Sequence, residues 1–104
     1  QSGVYSAYQA LIESALDNGC QSYFASPSPL HALLLNEGAK RFPERHGSFV
    51  QAAHPLEALS MALGASHSGS LPLVSGLFTD FLAMQEVLQA ACQQECPMVI
   101  SVLF

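Results

Sequence analysis

The chain has 104 residues, half of them apolar and only 11% charged, with a formal charge of −5 at neutral pH. That length bounds it to a single domain with a modest core. Its three cations, Lys40, Arg41 and Arg45, cannot neutralise a track of phosphates, which excludes a nucleic-acid surface, and the longest uncharged stretch, residues 58–79, is interrupted by His67 and Pro72 and will not span a bilayer.

Val4, Tyr8, Leu11, Ile12, Ala15 and Leu16 recur at helical spacing, and Asn18-Gly19 supplies a stop. Cys20 to Ala25 reads as a short strand. Ser26-Pro27-Ser28-Pro29 is irregular, because each proline pushes the residue before it out of helical geometry. A second helix is expected from about Leu30 to Glu37, ended by Gly38. Residues 39–47 hold all three cations and read as an exposed polar loop.

Residues 48–69, SFVQAAHPLEALSMALGASHSG, organise the rest. Phe49-Val50 is a strand that turns at Gln51-Ala52-Ala53-His54 and enters a helix at Pro55, where a missing amide proton costs nothing. Leu56, Leu59, Ala62 and Leu63 give that helix its apolar side, with Gly64 and Gly69 where it should stop. A strand running straight into a helix N-terminus is a common ligand position in open α/β sheets. Beyond it, Leu71 to Val74 is a brief strand and Ser75 to Asp80 a loop. Thr79 or Asp80 is placed to cap a helix from Phe81 to about Gln94. After Pro97, residues 98–104 are apolar on both faces, as in a strand inside a parallel sheet. The alternation predicts a three-layer α/β/α domain with a mainly parallel sheet. A chain ending on such a strand is expected to be a piece of a longer polypeptide.

Charge this sparse, against roughly 25% in an average soluble domain, predicts that another domain or subunit covers much of the outer face. Three cysteines (Cys20, Cys92 and Cys96) at no metal-site spacing favour free, mostly buried thiols in a reducing cytoplasm. Gly64-Ala65-Ser66-His67-Ser68-Gly69 lacks the glycine and the preceding strand of a nucleophile elbow, and reads as a helix-ending turn. The four histidines (His31, His46, His54, His67) form no metal-ligand pattern, and no glycine-rich phosphate loop is present. Glu57, on the helix after the turn, and Asp80, placed as a helix cap, are each assigned a solvated or capping role, since neither has an evident partner. His54, at the strand-to-helix turn, reads first as a local backbone contact and second as a ligand contact.

VQAAHPLEALSMALGAS is similar to VQAEDEIAAINMAIGAS, the signature of the thiamine-pyrimidine-binding domain in 2-oxoacid:ferredoxin oxidoreductases, the pyruvate enzymes among them. The likeness continues without a gap through Met84, Glu86, Leu88, Ala91, Glu95, Pro97 and Val99-Ile100. More loosely, Gly19-Cys20 and the SPSP turn resemble the family's AGxxxYxGYPITPSSE segment. The resemblance implies a thiamine diphosphate cofactor held between two domains of one fold, the second of which grips the diphosphate with magnesium. It also implies a pyrimidine-domain glutamate that hydrogen-bonds a ring nitrogen to prepare the ylid. In this sequence the residues aligned with that site are Ser28, Ala53, His54, Thr79 and Asp80.

Those positions are where the sequence departs from the family. The glutamate is Ala53, the next two acids are His54-Pro55, and Gly76-Leu77-Phe78-Thr79-Asp80 replaces a glycine-rich loop. Ser28-Pro29 matches the substrate-facing Thr-Pro only across a gap. Losing a positioned acid–base group typically costs about 10²–10⁴ in rate. The expectation is therefore a pyrimidine-type domain without the catalytic glutamate, serving as a structural or partner-binding module. Its partner would be another thiamine-fold domain or subunit in a homo- or hetero-oligomer. Thiamine diphosphate and magnesium would bind only if a diphosphate domain is supplied. The alternative is a working half-site completed by a partner domain, with His54 or the partner chain restoring the chemistry.

Overall fold

The computed structural model describes the backbone of residues 3–103 and the side chains of 7–29 and 31–103. The Val4 side chain of the predicted stripe, the Leu30 side chain and Phe104 lie outside what is described. Helix α1 (Gly3–Asp17) leads to strand β1 (Ser22–Ala25), and a 3₁₀ turn (Pro29–His31) opens α2 (Ala32–Glu44). There follow β2 (Ser48–Gln51), α3 (Pro55–His67), β3 (Pro72–Leu77), α4 (Phe78–Ala83), α5 (Gln85–Gln93) and β4 (Val99–Leu103). The strands form one all-parallel sheet in the order β2-β1-β3-β4. Period-two alternation sends neighbouring residues to opposite faces. Tyr23 and Leu73 pack with Ile12, Leu34 and Phe42 of α1 and α2, whereas Phe24 and Val74 pack with Leu59, Phe81 and Met84 on the other side. The result is the expected α/β/α layering.

Gly38 does not end the second helix but lies inside it. A Cβ at this position would fall on Cε2 and Cδ2 of the fully buried Tyr23 ring, so the glycine is a slot for that ring. The expected polar loop after it is helical to Glu44, and its arginines are paired. Arg41 donates to the buried Glu37 at 2.7 Å and to Glu13 at 2.8 Å; Arg45 donates to Glu13 at 3.0 Å and Asp17 at 2.8 Å. These pairs tie α2 to α1, and Arg41 compensates the carboxylate that α2 buries.

The strand expected to stop at Val74 continues to Leu77. Ser75 belongs inside it because its hydroxyl meets the buried Tyr23 hydroxyl at 2.6 Å, which satisfies both groups. Gly76 lets the Phe81 ring approach the strand. The following helix starts at Phe78, so Thr79 and Asp80 lie in its first turn and neither caps it. Leu77 is the N-cap, with no side-chain cap bond. The single helix expected over 81–94 is interrupted at Met84, giving α4 and α5.

The last strand was expected inside the sheet, but among the described residues it lies at the edge. Val99 and Leu103 pack on the α1 side; Ile100 and Val102, on the opposite side, are exposed. Its two apolar faces are therefore covered unequally.

Every helix-to-strand return is built alike. After α1, α2, α3 and α5, paired backbone bonds close a Schellman motif: Gly19 N–H to Leu16 and Cys20 to Ala15, His46 to Pro43 and Gly47 to Phe42, Gly69 to Ser66 and Ser70 to Ala65, Glu95 to Cys92 and Cys96 to Ala91. The left-handed residue is glycine at 19 and 69, but His46 (φ 64°) and Glu95 (φ 55°) at the others. Such a conformation costs a non-glycine residue roughly 1–2 kcal/mol.

Candidate functional site

In a parallel sheet the loops leaving the carboxyl ends of the strands open on one edge. Ser28 follows β1, Ala53 and His54 follow β2, and Thr79 and Asp80 open the helix after β3. The fold thus brings all five sequence-predicted residues to that edge, but not into one pocket. A cavity of about 350 Å³ is lined by Pro27, Ser28, Pro29, Ala32, Leu35, Asn36 and Gln51. It takes in Ser28 and none of the other four.

At the β2–α3 turn the Ala53 methyl and the His54 ring are exposed. His54 is the N-cap of α3 with no side-chain cap bond, and Pro55 occupies the first turn as expected. The residue that closes this turn is Glu57, whose Oε1 accepts the Ala53 N–H at 2.6 Å. Of the solvated and capping roles expected for Glu57 the structure shows the second, although the sequence offered no evident partner for it. The signal that could have found it is spacing: a glutamate three residues after an N-cap reaches back to orphan amides, and its charge suits the helix N-terminus.

The strand order places the switch point of the sheet between β1 and β3. His31, at the N-cap of α2, and Asp80, on α4, flank it. His31 is 2% exposed, and neither ring nitrogen has a hydrogen-bond partner among the described residues. Burial holds the imidazole below its ordinary value, and the charge of Asp80 opposes that effect. The native state therefore keeps His31 neutral while the unfolded chain takes up a proton. That stability contribution is complete above about pH 6.5 and is lost as the pH falls through the folded value. The urea midpoint is expected to drop between about pH 7 and pH 5, and to drop less in His31→Asn. Equal slopes in the two proteins would show that the imidazole protonates in place. Nothing in the residues around His31 in sequence reports its burial, which comes from elements distant along the chain.

The described residues hold no group of three or more His, Cys, Asp or Glu side chains placed to bind a metal ion. No helix among them is long and apolar enough to cross a membrane.

An open, all-parallel α/β domain with variable loops at its carboxyl edge defines a broad class of ligand-binding folds. Within that class the chain is homologous to a segment of 2-oxoacid:ferredoxin oxidoreductase subunits. It is 26% identical over 92 residues to the 2-oxoglutarate synthase subunit KorA of Archaeoglobus fulgidus, covering 88% of this chain and 27% of that protein. It is 30% identical over 91 residues to the ketoisovalerate oxidoreductase subunit VorB of Methanothermobacter thermautotrophicus, covering 88% of this chain and 26% of the relative. The chain thus spans about a quarter of the length of these curated relatives. No family model matches it. Its fold matches a solved 2-oxoglutarate:ferredoxin oxidoreductase from Magnetococcus marinus, determined with 2-oxoglutarate, coenzyme A and succinyl-CoA bound. The TM-score is 0.85 at 22% identity, covering 92% of this chain and 17% of that one.

Proposed function

We propose that this chain is a pyrimidine-type thiamine-fold domain of a cytoplasmic 2-oxoacid:ferredoxin oxidoreductase-like protein, and that it acts as a structural, partner-binding module. One observation carries the reading: the turn where the family resemblance requires a carboxylic acid presents the exposed methyl of Ala53. The nearest acid in sequence, Glu57, accepts a hydrogen bond from the Ala53 backbone. Holding an aminopyrimidine productively needs an acid that shares a proton with the ring. Alanine has none, and the Glu57 carboxylate is engaged in closing the helix. The residues present do not fit thiamine diphosphate.

Partner binding is supported by exposed apolar side chains on two elements in contact, Phe78 and Leu82 on α4 with Ile100 and Val102 on β4. The relatives that the chain resembles are named as subunits, which is consistent with such a cover. We expect titration of the intact protein with thiamine diphosphate and magnesium, with any diphosphate-domain partner supplied, to give no binding heat. A micromolar dissociation constant that Glu57→Gln weakens would overturn this reading in favour of the working half-site. In that case Glu57, rather than His54, would supply the acid.

A further inference from the structure

The opposite rim of the sheet carries a second arrangement of reactive groups. Cys96 lies in the return between α5 and β4, and His67 is the last residue of α3. Their side chains meet across 29 positions of sequence, with Sγ 3.5 Å from Nε2. Two tethers fix the encounter. The Schellman motif after α5 turns Cys96 back toward Ala91 through its amide, and the buried Ser66 hydroxyl donates to the Pro97 carbonyl at 2.9 Å. The other acceptors near Sγ, Gln94 Oε1 at 3.9 Å and the Gln94 carbonyl at 4.0 Å, are more distant than the imidazole. His67 is exposed and Cys96 partly so, which leaves the pair open to a small reagent.

We propose that Cys96 and His67 form a nucleophile–base pair that makes Cys96 a site of S-thiolation by low-molecular-weight disulfides. With its proton on Nδ1, His67 presents the Nε2 lone pair to the thiol. As Cys96 Sγ attacks one sulfur of the disulfide, its proton passes to Nε2. The new Sγ–S bond forms while the reagent's S–S bond breaks. The departing thiolate then takes the proton from the imidazolium and leaves as a thiol. Cys96 rises to the disulfide level and half of the reagent is reduced, so no further oxidant is needed.

The other two thiols are built-in controls. Cys20 is buried, and burial pushes its thiol up, so it is closed to both reagent and ionisation. Burial was expected of most of the thiols, but Cys92, on the outer side of the short helix α5, is exposed, one turn before Cys96, and has no side-chain hydrogen-bond partner among the described residues. Accessibility alone therefore predicts that Cys92 reacts at least as fast as Cys96. Imidazole assistance predicts the reverse.

The test is a time course of the intact protein with limiting glutathione disulfide at neutral pH, quantified for each cysteine by peptide mass mapping. We expect Cys96 to react roughly tenfold faster than Cys92, a modest share of what a positioned base supplies in an enzyme. His67→Gln should bring Cys96 down to the Cys92 rate while leaving Cys92 unchanged. Equal rates in the unaltered protein would overturn the proposal without recourse to any variant. So would a Cys96 rate that His67→Gln does not slow in a protein whose far-UV dichroism is unchanged.

Discussion

Gly38→Ala is expected to lower the stability of the fold by about 2 kcal/mol, although alanine is the better helix former by about 1 kcal/mol. The two effects oppose each other, and sterics wins because the obstacle cannot move. The new methyl would land on the Tyr23 ring, which is fully buried and packed between Phe42 and Phe49 at centroid distances of 5.6 and 5.1 Å. Its hydroxyl is also fixed to Ser75 on the neighbouring strand. Urea unfolding should show a lower midpoint with an unchanged slope. A variant more stable than the parent would mean that helix propensity dominates and that the ring has room to yield.

Tyr23→Ala is expected to cost more, about 4 kcal/mol, which combines a large core cavity with a Ser75 hydroxyl left unpaired. For a domain of this size that is a large part of the total stability, so unfolding should begin near zero denaturant. Burial pushes the Tyr23 phenol well above its ordinary value, which keeps the hydroxyl neutral and the pair with Ser75 intact. The two substitutions should not add. Once the ring is gone, the methyl at position 38 has space, and the double variant should be about 1–2 kcal/mol better than the sum of the singles. Additive losses would break the link between the glycine and the ring.

These two residues also show what could be read from the sequence. The alternation of elements and the parallel sheet were legible, since each strand and helix carries its own periodicity. The start of α3 at Pro55 and the stop at Gly19 were legible because proline and glycine act locally. Gly38 misled because its reason lies on another element: it is empty so that a tyrosine fifteen positions earlier, Tyr23 on β1, can fill the space. Ser75 misled likewise, since a serine reads as loop until a buried hydroxyl is found to meet it. The carboxyl-edge position of the candidate site followed from strand-then-helix order alone. What each side chain does there did not. For Glu57 only the assembled turn decides between a solvated and a capping role, and His31 is hidden by a burial that only the assembled sheet creates.

The four matching returns have a bearing on how this domain can change over time. At one rim the chain reverses through the same pair of backbone bonds each time, so the course of the chain there depends little on which side chains the turns carry. At the other rim the connections differ in length and conformation, from a 3₁₀ turn after β1 to a direct strand-to-helix junction after β3. The features that fix the chain path and the positions aligned with the family's cofactor site thus lie at opposite ends of the molecule. A lineage could discard a reaction residue by residue at the permissive end and still inherit the same architecture.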